Sequence, residues 1–227
     1  MRIRRKPWAR PELEACPYYI QNPKQQKNRW AEAYSRSQPF HLELGCGKGG
    51  FISAIGPAHP EINYLALDIK HEMLGMTRRK AEAAYGERDI PLDNLCLTAC
   101  NVEQIDEILG PQDRAGRIYI NFCNPWPKPK HRKKRLTHSR WLTKYKEFLV
   151  PGGELYFKTD DDGLFADTVN HYLPESGFEL CLCTWDLYAA PVKGNIPTEH
   201  EAMFLQEGKP IKFLIARLPG GEEGGAV

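Results

Sequence analysis

Glu43, Asp68, Asn101, Asn124 and Asp160 each stand at the end of a short apolar run, where a polar side chain is costly unless it has something to bind. Glu43 opens a glycine turn, ELGCGKGG at 43–50. Gly45, Gly47 and Gly50 in it satisfy GxGxxG, a weak signal shared with dinucleotide-binding folds, and no GK[ST] closes the turn as a phosphate loop would require. The carboxylate of Glu43 separates the remaining ligands. It would repel a pyrophosphate, but it can meet a cation, and S-adenosylmethionine carries both an ammonium and a sulfonium. Asp68 suits a ribose diol in either cofactor. Asn101 suits an adenine edge. A buried carboxylate that caps local amides is the competing reading of Glu43.

The segment NFCNPWPKPKHRKKR (121–135) combines a polar strand end, stiff prolines, an aromatic ring and a dense cationic run. Pro125 and Pro127 fix φ around Asn124 and Trp126. Cations that neutralise phosphates beside a rigid loop that presents a base suit a nucleic acid. Lys128 is expected to touch phosphate or orient the base, and Arg132, Lys133, Lys134 and Arg135 to supply salt-dependent affinity. Trp126 fits either base stacking or packing under the turn. Further on, Thr198, Glu199, His200 and Glu201 lie in a polar connection (188–210) longer than usual, as functional loops often are. Thr198 and Glu201 also match the T-x-x-E capping box of a helix start, and both roles fit.

These residues need a frame that gathers strand ends. Apolar runs at 40–44, 62–68, 94–100, 117–123, 154–159, 178–187 and 211–218 read as seven strands. Helical stretches are expected at 49–55, 71–85, 102–109, 140–149 and 165–173. Alternation of this kind implies an α/β, doubly wound, Rossmann-like sheet covered on both faces, with the carboxyl ends of its strands lining one crevice. Residues 1–36 show no sustained periodicity and read as a basic extension to a single domain at 37–219. The glycine-rich 220–227 reads as a disordered tail.

Charge is nearly balanced overall, with a formal net of +2, but it is clustered. Nine Lys/Arg against three acids in 1–36, and six with no acid in 128–135, favour a local polyanion site over general stickiness. Seven scattered cysteines with no CxxC or Cys/His metal spacing favour a reducing compartment and give no metal site. With no apolar segment of spanning length and no signal-peptide core, a cytoplasmic protein without membrane contact is expected. Monomer and homodimer both fit.

Taken together, RIRRKPWA, LELGCGKGGF, YLALDI, NFCNPWPKPKHRKKRL, FKTD and GNIPTEHEAMF span the chain in the order of one family. The sequence resembles the bacterial tRNA (guanine-N7)-methyltransferases, which methylate a variable-loop guanosine. The resemblance implies a methyltransferase fold with a mostly parallel seven-stranded sheet, S-adenosylmethionine as cofactor and tRNA as partner. It also implies that Glu43, Asp68, Asn101 and Asn124 contact the cofactor, and that Lys128, Asp160 and the Thr198–Glu201 segment meet the RNA. One position departs: Asn124 stands where the family usually has an aspartate of catalytic role. Guanine N7 has an unprotonated lone pair, so close in-line approach matters more than a general base. The expectation is that Asn124 positions the reactants while Asp160 and Glu201 supply negative charge around the base. Two other readings compete. NPWP is similar to loops that present exocyclic amines, and the fold could bind RNA without turnover.

Overall fold

A computed structural model describes residues 5–220, so Arg2, Arg4 and residues 221–227 of the expected tail lie outside the described residues. Strands β1 (Phe40–Leu44), β2 (Asn63–Asp68), β3 (Leu95–Ala99), β4 (Ala115–Asn121), β5 (Leu149–Thr159), β6 (Glu179–Thr184) and β7 (Lys212–Arg217) form one sheet. Their order is β3-β2-β1-β4-β5-β7-β6. β1 to β5 pair in parallel, and β7 runs antiparallel to both β5 and β6. The strand order reverses between β1 and β4, and such a switch opens a crevice at the carboxyl ends of the strands.

The two-residue period of β1 explains its double role. Phe40, Leu42 and Leu44 join one apolar layer, whose members include Ile118, Ile120, Leu155, Phe157, Trp141, Tyr145 and Phe165. His41 and Glu43 point to the other face, where Leu13, Ile52, Tyr64, Leu74 and Ala81 pack. The helices α1 (Ala9–Glu14), α2 (Ile52–Ala58), α3 (His71–Gly86), α4 (Ile105–Ile108) and α5 (Ser139–Tyr145) cover these layers, with α6 (Asp162–Asp167), α7 (Leu173–Ser176) and α8 (Glu199–Gln206) following. A π-helical turn, Thr168–Tyr172, joins α6 to α7. It lies just before Pro174, which cannot donate to the preceding turn.

The N-terminal segment differs from the expected extension without a core pattern. Leu13 and Trp30 are fully buried. The Trp30 indole N–H donates to Ile108 O at 2.7 Å, and Asp113 accepts the backbone N–H groups of Asn28 and Trp30. Tyr19 forms a parallel bridge to Leu97 at the β3 edge, with Ile20 N–H donating to Leu97 O and Leu97 N–H to Tyr18 O. Single anchors on short turns produce no periodicity, which is why the sequence pattern looked coreless.

Two other boundaries moved. β5 begins at Leu149, before the expected 154, because Leu149 already pairs with Ala115 ahead of an irregularity in register. The connection 188–210 is not a plain loop: it contains α8, started by a complete Thr198–Glu201 capping box.

Candidate active site

The carboxyl ends of β1, β2 and β4 and the segments that follow β3 and β4 enclose a cavity of about 540 Å3. The glycine turn forms one wall. Gly45 and Cys46 both donate backbone N–H groups to Leu67 O at 2.9 Å, folding the turn back over β2. Gly45, Gly47 and Gly49 have positive φ, so the third special position is Gly49 and not Gly50 of the sequence pattern. At Gly49, with φ +79°, a Cβ would lie 2.6 Å from the Thr77 side chain, so only glycine fits this crossing of α3.

Glu43 lies at the cavity floor, 2% exposed. Its Oε1 accepts from Asn121 Nδ2 at 3.1 Å, while Oε2 is buried with no partner among the described residues. Burial pushes its carboxyl up to about 7, the Asn121 hydrogen bond opposes the shift, and neighbouring Asp68 adds to it. A buried acid with one free oxygen calls for a donor, preferably a cationic one. That is the group the amino end of S-adenosylmethionine would bring, and the competing reading of a satisfied capping carboxylate does not fit.

Asp68 closes β2 and ties the cavity together. One oxygen accepts the Gly47 N–H at 3.1 Å and the other accepts the Lys70 N–H at 2.9 Å. Burial raises its carboxyl against these backbone bonds. Asn101 also lines the cavity; its Oδ1 caps a 3-10 turn by accepting from Glu103 N at 3.1 Å. Asn124 is an exposed lining residue whose Oδ1 accepts the Trp126 N–H at 3.1 Å. That bond closes an Asx turn around Trp126, which has φ +43°. Trp126 is half-buried at the cavity wall, with Lys134 Nζ 5.2 Å from its ring centre. The ring is therefore not sealed in the core.

The strap after β6 supplies the facing wall through Thr198, Glu199 and His200. Glu199 pairs with Lys80 of α3 and lies against Gly50, so the strap touches the glycine turn. His200 stacks on Phe122, with ring centres 5.7 Å apart. Burial lowers the His200 pKa, and Lys48 lowers it further against an opposing effect of Asp160.

The expected RNA-binding cations divide. Lys128, Arg132, Lys133 and Lys134 are exposed, and Lys134 reaches the cavity. Arg135 is 3% exposed and points inward. Its guanidinium donates to Pro125 O at 2.7 Å, to the Tyr172 hydroxyl at 3.2 Å and to Asp167. Arg135 therefore anchors the loop and has no face for phosphate, which corrects the expectation from the cationic run. Glu201 is corrected as well. It is fully buried and paired with Lys158 Nζ at 3.1 Å, so it cannot offer free charge to a base. Asp160 is half-buried and lies outside the cavity lining, with its backbone O held by Lys212.

Sequence reasoning passed over Asn121, Lys158 and Phe122. The signal was present: a polar residue inside each of RIYINFC and ELYFKT, at positions that pair across β4 and β5. Among the described residues, no group of three or more His, Cys, Asp or Glu is placed to hold a metal ion.

The cavity and its acids agree with what the chain is similar to. A family model described as "Putative methyltransferase" matches residues 37–214. The tRNA (guanine-N(7)-)-methyltransferase of Ruminiclostridium cellulolyticum is 55% identical over 217 residues, 95% of this chain and 92% of that protein. Its namesake in Acetivibrio thermocellus is 47% identical, covering 95% and 99%. Among solved structures, the 16S rRNA methyltransferase KamB superposes with a TM-score of 0.60 at 15% identity, over 84% of this chain and 92% of that one. The 16S rRNA (adenine(1408)-N(1))-methyltransferase of Catenulisporales acidiphilia gives 0.55 at 16%, covering 88% and 93%. These two likenesses establish the fold alone. The long matches at about half identity establish the rest: the chain belongs to the tRNA (guanine-N(7)-)-methyltransferase family.

Proposed function

We propose that this protein methylates N7 of a guanosine in tRNA, within the variable loop, using S-adenosylmethionine. The observation that carries the reading is the unpartnered, buried Glu43 oxygen on the floor of a cavity whose rim holds Trp126 and Lys134. S-adenosylmethionine supplies an electrophilic methyl group on its sulfonium. Glu43 would hold the cofactor's ammonium, Asp68 its ribose and Asn101 its adenine edge. Guanine N7 attacks with an in-plane lone pair, so the protein must align the partners and need not remove a proton first.

Positive charge passes from sulfur to the purine, and nearby carbonyl or carboxylate oxygens favour that movement. Of the two acids expected to serve the base, Glu201 is already paired with Lys158, which leaves Asp160, outside the cavity lining but close enough to act on His200 of its wall. Asn124 acts by position: the Asx turn holds the Pro-Trp-Pro loop, and its amide nitrogen stays available to the base. Asp160→Ala is expected to slow single-turnover methylation at saturating tRNA by ~100-fold, the lower end of the scale for removing one oriented electrostatic contact. An unchanged rate would remove Asp160 from the reaction.

Lys128, Lys130, Lys133 and Lys134 are exposed loop cations that can meet phosphates, and Arg132, half-exposed beside Asp167 at 3.6 Å, can turn to join them. Neutralising Arg132, Lys133 and Lys134 together should reduce the slope of log K against log salt by about two. Arg135→Ala should instead lower the unfolding midpoint. A tRNA substrate and seven unpaired thiols suit the cytoplasm.

A tRNA transcript with 7-deazaguanosine in place of guanosine separates this reading from methylation of an exocyclic amine. The modified base keeps its amino group and loses the N7 lone pair. No methyl acceptance is expected; acceptance at the normal rate would move the target to an amine.

A further inference from the structure

A buried ion pair lies directly under the strap, and the scheme above gives its cation no role. Lys158 of β5 is 4% exposed and pairs in register with Asn121 of β4. Its ammonium donates to Ile196 O at 2.9 Å and to Glu201 Oε2 at 3.1 Å. Glu201 in turn gathers the rest of the connection. Its oxygens accept from Thr198 N at 2.7 Å, the Tyr188 hydroxyl at 3.2 Å and Asn195 Nδ2 at 3.4 Å. Three points of the connection, Tyr188, Asn195 and Thr198, therefore converge on one carboxylate, and that carboxylate rests on Lys158.

On the neighbouring strand, Asn121 holds the Glu43 carboxylate from below. The two adjacent positions thus serve the two halves of the cavity, one through the cofactor acid and the other through the strap. A hydrophobic pair would fill the same space without the desolvation cost of two buried charges. A cation at Lys158 does something such a pair cannot: it fixes the strap by directed bonds and acts on both carboxylates.

We propose that Lys158 is the positioning residue that sets the RNA-facing strap, through Glu201, against the Asn121–Glu43 pair that receives the cofactor. This rests on the function proposed above, but half of its test needs no RNA. The titratable groups around Glu43 are Asp68 from β2, Lys158 from β5, Tyr119 from β4 and Cys46 from the glycine turn. Lys158 is the cation of that set, and it draws Glu43 toward its ionised form. Removing the cation should push the Glu43 carboxyl further up.

The test compares Lys158→Met and Lys158→Arg with the parent protein. Calorimetric binding of S-adenosylmethionine across pH should show the midpoint moving upward in Lys158→Met and returning toward the parent value in Lys158→Arg. Steady-state methylation should show a tRNA KM raised several-fold and a lower kcat in Lys158→Met, with partial rescue by arginine. A binding profile that does not move overturns the proposal, even if the variant melts at a lower temperature, since lost packing alone would leave the midpoint in place. If Lys158→Met does not fold, Asn195→Ala loosens the strap from its outer side. A several-fold rise in tRNA KM with an unchanged cofactor pH profile then supports the proposal, and an unchanged KM overturns it. Failure of the proposed function itself would read differently: no methyl acceptance by tRNA in the parent protein, with cofactor binding and its response to Lys158→Met intact.

Discussion

Glu43→Gln should lower affinity for S-adenosylmethionine about 100-fold, because a buried carboxylate facing an ammonium contributes roughly 3 kcal/mol. Glutamine keeps the shape and can still accept from Asn121, so the loss isolates the charge. The same group sets a pH signature. In the free protein its carboxyl sits at about 7, so below that value most molecules carry a neutral Glu43. Binding a cation requires the ionised form. Affinity should therefore fall by up to ~10-fold per unit below pH 7 and level off above it, and the glutamine variant should show a flat profile in this range.

Stability should move the opposite way. The folded carboxyl lies above its unfolded value, so the native state holds the proton more tightly. That contribution is fully present below about 4.5 and is lost as pH rises through about 7. At pH 8 and without cofactor, Glu43→Gln should thus be more stable than the parent, by on the order of 2–3 kcal/mol. Denaturant melts at pH 5 and pH 8 check the sign. A variant that binds normally, or that is destabilised equally at both pH values, would contradict the role given to Glu43.

Trp30→Ala should cost about 3–5 kcal/mol, the range for emptying a large buried aromatic site. Trp30 is fully buried, and its indole N–H is spent on Ile108 O. Its loss would open a void in the main apolar layer and leave that carbonyl unpaired. Against a typical total of 5–15 kcal/mol, this change alone brings the domain near its limit. Urea unfolding gives the measurement. A loss below about 1 kcal/mol would return residues 5–36 to the status of a dispensable extension.

What was legible in the sequence follows from which interactions are local. β1 was readable to the residue because its burial and its two-residue period lie within five positions. The glycine turn and the acids at the strand ends were readable for a related reason: polar residues closing apolar runs are anomalies that need no partner to be noticed. Arg135 was not readable. In the sequence it is one cation among six, and its burial depends on Asp167 and Tyr172, more than thirty residues away. Glu201 shows both sides. The capping box with Thr198 was visible at a spacing of three, whereas the pairing with Lys158 spans forty-three residues and reverses the expected free charge. Leu13, Tyr19 and Trp30 were missed because isolated anchors on a six-residue helix and tight turns carry no period.

Methyl-labelled S-adenosylmethionine incubated with unmodified tRNA, followed by digestion and mass spectrometry of the nucleosides, tests the chemistry most directly. Label should appear in 7-methylguanosine, and its initial rate of incorporation should fall to about a tenth with Glu43→Gln at cofactor about ten times the parent Kd. Label in any other methylated guanosine, in a methylated adenosine or cytidine, or in no nucleoside at all would contradict transfer to guanine N7 at this cavity.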